Sequence, residues 1–179
     1  MQDPVIIKLV LLGEPMAKQS ARFAVKKDKW GRMVLRRKNG RICKDRVGHP
    51  IPMLTSYQTS EHKAREADYI FQIKRQLPKG FKTFEGAVEV LEYKVIYKPL
   101  KKHTSSKKTM TLLSSGKFIP KTTRPDLPDN LKKLAFDAME KAGVYKNDGQ
   151  VWKESNTQKV YGLFPRIEII IKGYELKTS

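Results

Sequence analysis

Cysteine is nearly missing from this sequence of 179 residues. Cys43 stands alone, so neither an internal disulfide nor a zinc knuckle can form, and a reducing, cytoplasmic setting is expected. Long apolar runs are missing too. The longest, Val5 to Leu12, is interrupted by Lys8 and is too short to span a bilayer or to serve as a signal segment, so no membrane partner is expected. The three histidines, His49, His62 and His103, are scattered without metal-ligand spacing and read as polar surface or loop residues. Neither a Walker A loop nor a G-x-G-x-x-G run occurs, which leaves a nucleotide cofactor unsupported. Acidic residues are scarce, 18 against 37 Lys and Arg, giving a formal net charge of +19.

What is present is a globular composition, 39% hydrophobic and 9% aromatic, long enough for one domain with a real core. The charge is concentrated. Residues 18 to 46 hold twelve Lys and Arg against Asp28 and Asp45, and residues 94 to 124 hold nine and no acid, so these two stretches account for the whole excess. Two basic stretches on an otherwise neutral domain are the footprint of a protein that binds a polyanion, with nucleic acid the natural candidate.

Val5 to Leu12 reads as a central strand covered on both faces, ending at Gly13. From residue 25 to 56, short apolar pairs alternate with Lys and Arg around Gly31 and the hairpin signal Asn39-Gly40, which suits a basic β-ribbon or loop insertion. Ala64, Ala67, Ile70, Phe71 and Leu77 predict an amphipathic helix with Ser60 as its cap and Pro78 as its stop. Ala87 to Tyr97 predicts a strand with Ala87, Leu91, Tyr93, Val95 and Tyr97 on one face. Residues 100 to 121 are Ser, Thr and Lys-rich and read as a second basic insertion, a functional loop. A second helix runs from Pro128 to Ala142 with Leu131, Leu134, Ala135, Ala138 and Ala142 inward and Gly143 as its stop. Residues 150 to 162 read as one more strand, and Arg166 to Lys172 as a half-buried strand with Ile167, Ile169 and Ile171 inward. The expectation is therefore a single α+β domain over residues 1–179, with a small mixed sheet of about four strands and two main helices. No internal repeat is evident.

"RPDLPDNLKK" places Asp126 and Asp129 beside prolines, directly after a basic stretch. Such residues suit a helix start, where carboxylates complement the dipole. Asp129, Lys133 and Asp137 fall at i, i+4 and i+8 and share a polar stripe opposite the apolar face. Asp148 follows in an Asn-Asp-Gly turn before a strand. Two carboxylates at a helix start and a third on a turn form a hard oxygen set of the kind that holds Mg²⁺.

"RPDLPDNLKKLAFDAMEKAGVYKNDGQV" closely resembles the signature of the RusA family of Holliday-junction resolvases, and "GEPMAKQSAR" is similar to the family's opening segment. The resemblance implies that Asp126, Asp129 and Asp148 hold the metal, Mg²⁺ with Mn²⁺ able to substitute. It also implies that Lys133 is the catalytic lysine and that Lys18, Arg22 and Arg124, together with Lys121 of the basic stretch, contact DNA phosphates. A homodimer acting on four-way junctions or other branched DNA is implied as well. The chain departs from the family in one respect, because Leu127 and Pro128 separate the first two aspartates by one extra residue. The alternative is a basic DNA- or RNA-binding protein without activity, whose aspartates only cap a helix.

Overall fold

The computed structural model describes residues 4–17, 22–57, 59–125 and 131–173, and all their side chains except those of residues 22, 56 and 57. In chain order the elements are β1 (Val5–Leu12), β2 (Arg22–Val25), β3 (Arg37–Lys38), β4 (Arg41–Ile42), β5 (Leu54–Tyr57), α1 (Ser60–Gln76), β6 (Val88–Tyr97), α2 (Lys101–Thr104), α3 (Lys107–Ser114), β7 (Ile119–Pro120), α4 (Lys132–Ala142), β8 (Val151–Glu154), β9 (Thr157–Tyr161) and β10 (Arg166–Gly173). They form two compact units, residues 1–18 with 61–179, and residues 19–60. The class is α+β, as expected, but the main sheet has six strands rather than about four.

In the larger unit the sheet runs β1-β10-β6-β9-β7, with β8 also paired to β6. β1, β10 and β6 are antiparallel neighbours, whereas β8 and then β9 lie parallel to β6. Ile7, Leu9 and Leu11, Val88, Val90, Tyr93 and Val95, and Ile167, Ile169 and Ile171 enter one core with Tyr69 and Ile73 of α1 and Leu134, Ala135, Ala138 and Met139 of α4. Burying each large side chain of this kind is worth roughly 1.5–3 kcal/mol.

Several expectations are corrected. β1 is an edge strand with one open face, not a central strand, since Ile6, Lys8, Val10 and Leu12 alternate outward. Apart from Lys8, its apolar sequence hides that alternation. The free edge is blunted by α1, where Gln76 and Gln72 act as short pieces of strand: their Oε1 atoms accept from Val10 N (2.8 Å) and Leu12 N (2.7 Å), and their Nε2 atoms donate back to Val10 O (2.9 Å) and Leu12 O (3.3 Å).

The inward face of α1 carries His62, Tyr69 and Ile73, with Ile70 and Leu77 partly covered, while Ala64, Ala67 and Phe71 face out. His62 is thus buried, contrary to its reading as a surface residue. In β6 the pairing with β10 skips Leu91, so the inward set is Val88 and Val90 before the bulge and Tyr93, Val95 and Tyr97 after it.

The 100–121 stretch is not a bare loop. It folds as α2, α3 and β7, with Ser106 accepting from Thr109 N at the start of α3 and Leu113 buried beneath it. Residues 150 to 162 give two strands, β8 and β9, broken at Asn156, whose φ is 45°. α4 ends at Gly143 (φ 85°) and β10 buries Ile167, Ile169 and Ile171, both as expected. Among the described residues no helix is long and apolar enough to cross a membrane.

The smaller unit is held differently. β2 pairs with β5, and β3 with β4 around Asn39-Gly40, where both residues have positive φ, the signature of the expected hairpin turn. Between these ladders the backbone closes two rings. Lys26 N donates to Met53 O, Met53 N to Val34 O and Val34 N to Lys26 O. One step on, Arg36 N donates to Ile51 O, Ile51 N to Cys43 O and Cys43 N to Arg36 O. The first ring closes the base of the 27–33 hairpin and the second the bases of the 37–42 and 44–50 hairpins, and not one described residue of the unit is buried.

Candidate active site

Asp126, Asp129 and Lys18 lie outside the described residues, as do the side chain of Arg22 and the extra residue between the two aspartates. Asp148, Lys133, Arg124 and Lys121 are described. So are the residues flanking the segment of Asp126 and Asp129 and the one just before Lys18, each fastened by a side chain from the body of the fold.

Asp148 opens a single 3-10 turn, Asp148–Gln150, and is solvent-exposed. Asn147 caps the turn, its Oδ1 accepting from Gly149 N at 2.7 Å. Gln150 locks it in place. Its Oε1 accepts from Lys146 N (2.7 Å) and Asn147 N (3.0 Å), and its Nε2 donates to Phe84 O (3.0 Å) and Gly86 O (2.7 Å). The same segment is tied to the end of α4 through Phe84 N to Val144 O and Thr83 Oγ1 to Gly143 O.

The turn rests against α4, where Glu140 Oε2 accepts from Asp148 N at 3.3 Å. Lys133, Asp137 and Glu140 fall at i, i+4 and i+7, so they share one stripe of the helix, with Lys133 exposed. The Tyr145 hydroxyl, which donates to Phe136 O at 3.0 Å, reports the field there. Burial first, and then the carboxylates of Asp148, Glu140, Asp137 and Glu154, push it well above the ordinary tyrosine range. Lys132 pairs with Glu154 and offsets part of this charge. Among the described residues no three Asp, Glu, His or Cys side chains converge on one point.

The segment bearing Asp126 and Asp129 is pinned on both sides. Before it, Lys159 of β9 donates to Thr123 O and Pro125 O, each at 2.7 Å. After it, the buried Tyr93 hydroxyl of β6 donates to Leu131 O at 2.9 Å. β6 and β9 are parallel neighbours, Val95 opposite Lys159, so adjacent strands hold the two ends. Likewise His62 Nε2 donates to Ala17 O at 3.0 Å, immediately before Lys18.

Arg124 is exposed beside the pinned carbonyls. Lys121 is more constrained: its Nζ donates to Thr123 Oγ1 (2.7 Å) and Tyr161 Oη (3.2 Å) and lies 5.1 Å from the ring centres of both Tyr97 and Tyr161. The Thr123 hydrogen bond most of all, against the opposing effect of burial, and then Lys121 and Lys102, hold the Tyr161 hydroxyl below its ordinary range.

None of Glu140, Gln150, Lys159, Tyr93 and His62 was read from the sequence as a support of the site, Tyr93 being placed on one face of its strand and His62 at the surface or in a loop. Only Glu140 had a signal, its helical spacing from Lys133 and Asp137.

In comparison with known proteins, the profile of the family described as endodeoxyribonuclease RusA matches residues 13–172. No curated protein matches the chain. The matched span runs from the turn after β1 into the last strand and takes in α4, the Asp148 turn and every pinned segment. The chain therefore belongs to the RusA family of endodeoxyribonucleases, which act on Holliday junctions.

Proposed function

We propose that this protein is a divalent-cation-dependent, structure-specific endonuclease that cuts four-way junctions or related branched DNA in recombination and repair. The observation that carries the reading is Asp148, held on a turn that Gln150 and Glu140 clamp against α4, in a chain matched to the family from 13 to 172.

Asp126, Asp129 and Asp148 would hold the ion. A set made only of carboxylates, beside the acidic stripe that raises Tyr145, suits Mg²⁺, with Mn²⁺ as a substitute. When bound, the ion supplies charge neutralisation at the phosphate and a more acidic water. The chain's own groups do the rest. Lys133 would offset charge growing on the phosphate as its bond breaks. Lys18, Arg22 and Arg124 would hold the DNA backbone, and Lys121, already fixed over two tyrosines, would fix the strand's register there. Two matched incisions require two matched sites, which a homodimer supplies. The cytoplasm is the proposed location.

Replacing Asp148 by Asn tests this. Cleavage of a labelled four-way junction in Mg²⁺ should be lost while junction binding in Ca²⁺ is kept or tightened, and unchanged cleavage would refute the reading. Three-way and flap substrates run beside it define which branch geometry is preferred.

A further inference from the structure

The unit of residues 19–60 holds eleven Lys and Arg against two acids, a net +9 within 42 residues. Both acids are consumed inside their own turns. Asp28 Oδ1 accepts from Trp30 N and Arg32 N, each at 2.9 Å, and its Oδ2 accepts from Arg32 Nε at 3.0 Å. Asp45 repeats the pattern, its Oδ1 accepting from Val47 N and His49 N, each at 2.9 Å. The two turns share one sequence plan, Lys27-Asp28-Lys29-Trp30-Gly31-Arg32 and Lys44-Asp45-Arg46-Val47-Gly48-His49. Among the described residues only Arg32 and His49 of this unit pair with a carboxylate.

The tips project. Trp30 is 66% exposed and Val47 80%, and a side chain added at Gly31, Gly40 or Gly48 would meet nothing within 4 Å. The Trp30 ring is dressed with cations, Lys29 Nζ 4.3 Å and Arg32 Cζ 4.7 Å from its centre. An unburied indole on a rigid turn, set among cations, combines a flat stacking surface with phosphate contacts.

We propose that the 19–60 unit carries a second set of DNA contacts, in which Trp30 stacks on a base exposed at a branch point while Lys29, Arg32 and the neighbouring tips hold the flanking phosphates. The inference rests on the branched-DNA reading above. A branch point is where helices change stacking partners and leave base faces uncovered, whereas linear duplex offers the indole no such face. Arg32, anchored to Asp28, fixes the turn, and the unanchored Lys29 ammonium moves from the ring to a phosphate as the base arrives.

Full-length protein is titrated in Ca²⁺, so that nothing is cut, with a fluorescent four-way junction and with a linear duplex of the same composition. Trp30→Ala should weaken junction binding about tenfold and duplex binding much less, with Trp30→Phe retaining most of the affinity. With Trp152→Phe removing the other indole, emission of Trp30 should be quenched by the junction. Equal affinities for wild type and Trp30→Ala, or unquenched emission, would overturn the inference. So would a Trp30→Ala variant that loses self-association while binding DNA normally, since the tip would then contact protein. If the wild type itself fails to bind the junction, the functional reading falls, and this inference with it.

Discussion

The two units of this chain are stabilised by different physics. The larger one is organised around a core of strands and helices in which Leu11, Tyr93, Ile171 and Ala138 are fully or almost fully buried. The smaller one buries nothing among its described residues and is held by two rings of backbone hydrogen bonds and two aspartate-anchored turns. In the body, cations near the candidate site are committed to the fold, as Lys159 is to two carbonyls and Lys121 to two tyrosines. In the small unit it is the acids that are committed, leaving a cationic outside. One unit holds a geometry; the other offers charge and a ring.

The largest break in this contrast comes from the body. Phe84 is fully buried, meets Phe81 edge to face at 5.2 Å between ring centres, and sits so close to Gly173 that a Cβ there would come within 2.5 Å of its ring. Phe84→Ala should cost about 3–5 kcal/mol in urea unfolding. Because Gln150 binds the Phe84 carbonyl, the Asp148 turn should loosen as well. Trp30→Ala, by contrast, should change stability by less than about 0.5 kcal/mol, as expected of a substitution away from any buried feature. Comparable losses from the two variants would mean that the small unit is integral to the body's stability after all.

How much of this was legible in the sequence follows the same division. The inward faces and ends of α4 and β10 were read correctly because each has a strong period and the helix a clear stop at Gly143, while the expected helix start at Pro128 lies outside the described residues. The Asn39-Gly40 turn was legible because its chemistry is local. β1 and β6 were misread for tertiary reasons, since an apolar edge strand looks like a central one and the Leu91 bulge resets the alternation. α2 and α3 escaped because only Leu113 among their residues is buried, too little to leave a periodic signal. At the site, Asp126, Asp129, Asp148 and Lys133 are proposed from a contiguous motif, with Asp126 and Asp129 outside the described residues. The supports Tyr93, His62 and Gln150 were not legible, because each acts across a long stretch of chain: 38 residues from Tyr93 to Leu131, 45 from His62 to Ala17 and 64 from Gln150 to Gly86.

Lys159 gives the intermediate test. Its ammonium holds the carbonyls of Thr123 and Pro125 just before Asp126, so its removal should release the segment proposed to hold metal rather than a DNA contact. Lys159→Met should raise the Mg²⁺ concentration needed for half-maximal cleavage by about tenfold, the scale of lost support behind a ligand. Junction affinity in Ca²⁺ should change little, and Lys159→Arg should restore part of the Mg²⁺ response. The opposite pattern, weaker binding with an unchanged Mg²⁺ requirement, would make Lys159 a phosphate contact like those assigned to the small unit.

The smallest effect separates the two kinds of carboxylate. In the body, Glu89 is held below its ordinary 4.5 chiefly by its hydrogen bond from Lys153 and by the charges of Lys153 and Lys172, against desolvation. Asp45 is held below 3.8 chiefly by the backbone N–H of His49, against desolvation and with help from Val47 and Gly48. At Asp28 desolvation is the largest single influence and acts upward, yet the Arg32 and Trp30 donors together outweigh it. A depressed carboxyl contributes stability that is complete above its unfolded value and lost as pH falls through the lower folded one. The tip amides of Trp30, Arg32, Val47 and His49, followed by NMR, should therefore lose their shifts with a midpoint below pH 3.8. Salt then distinguishes the units. Raising ionic strength to about 1 M shortens screening to roughly 3 Å and should move Glu89 back toward 4.5. Asp45, held by short hydrogen bonds from its own backbone, should barely move. A salt shift at Asp45 as large as that at Glu89 would show that the small unit, too, rests on ion pairs.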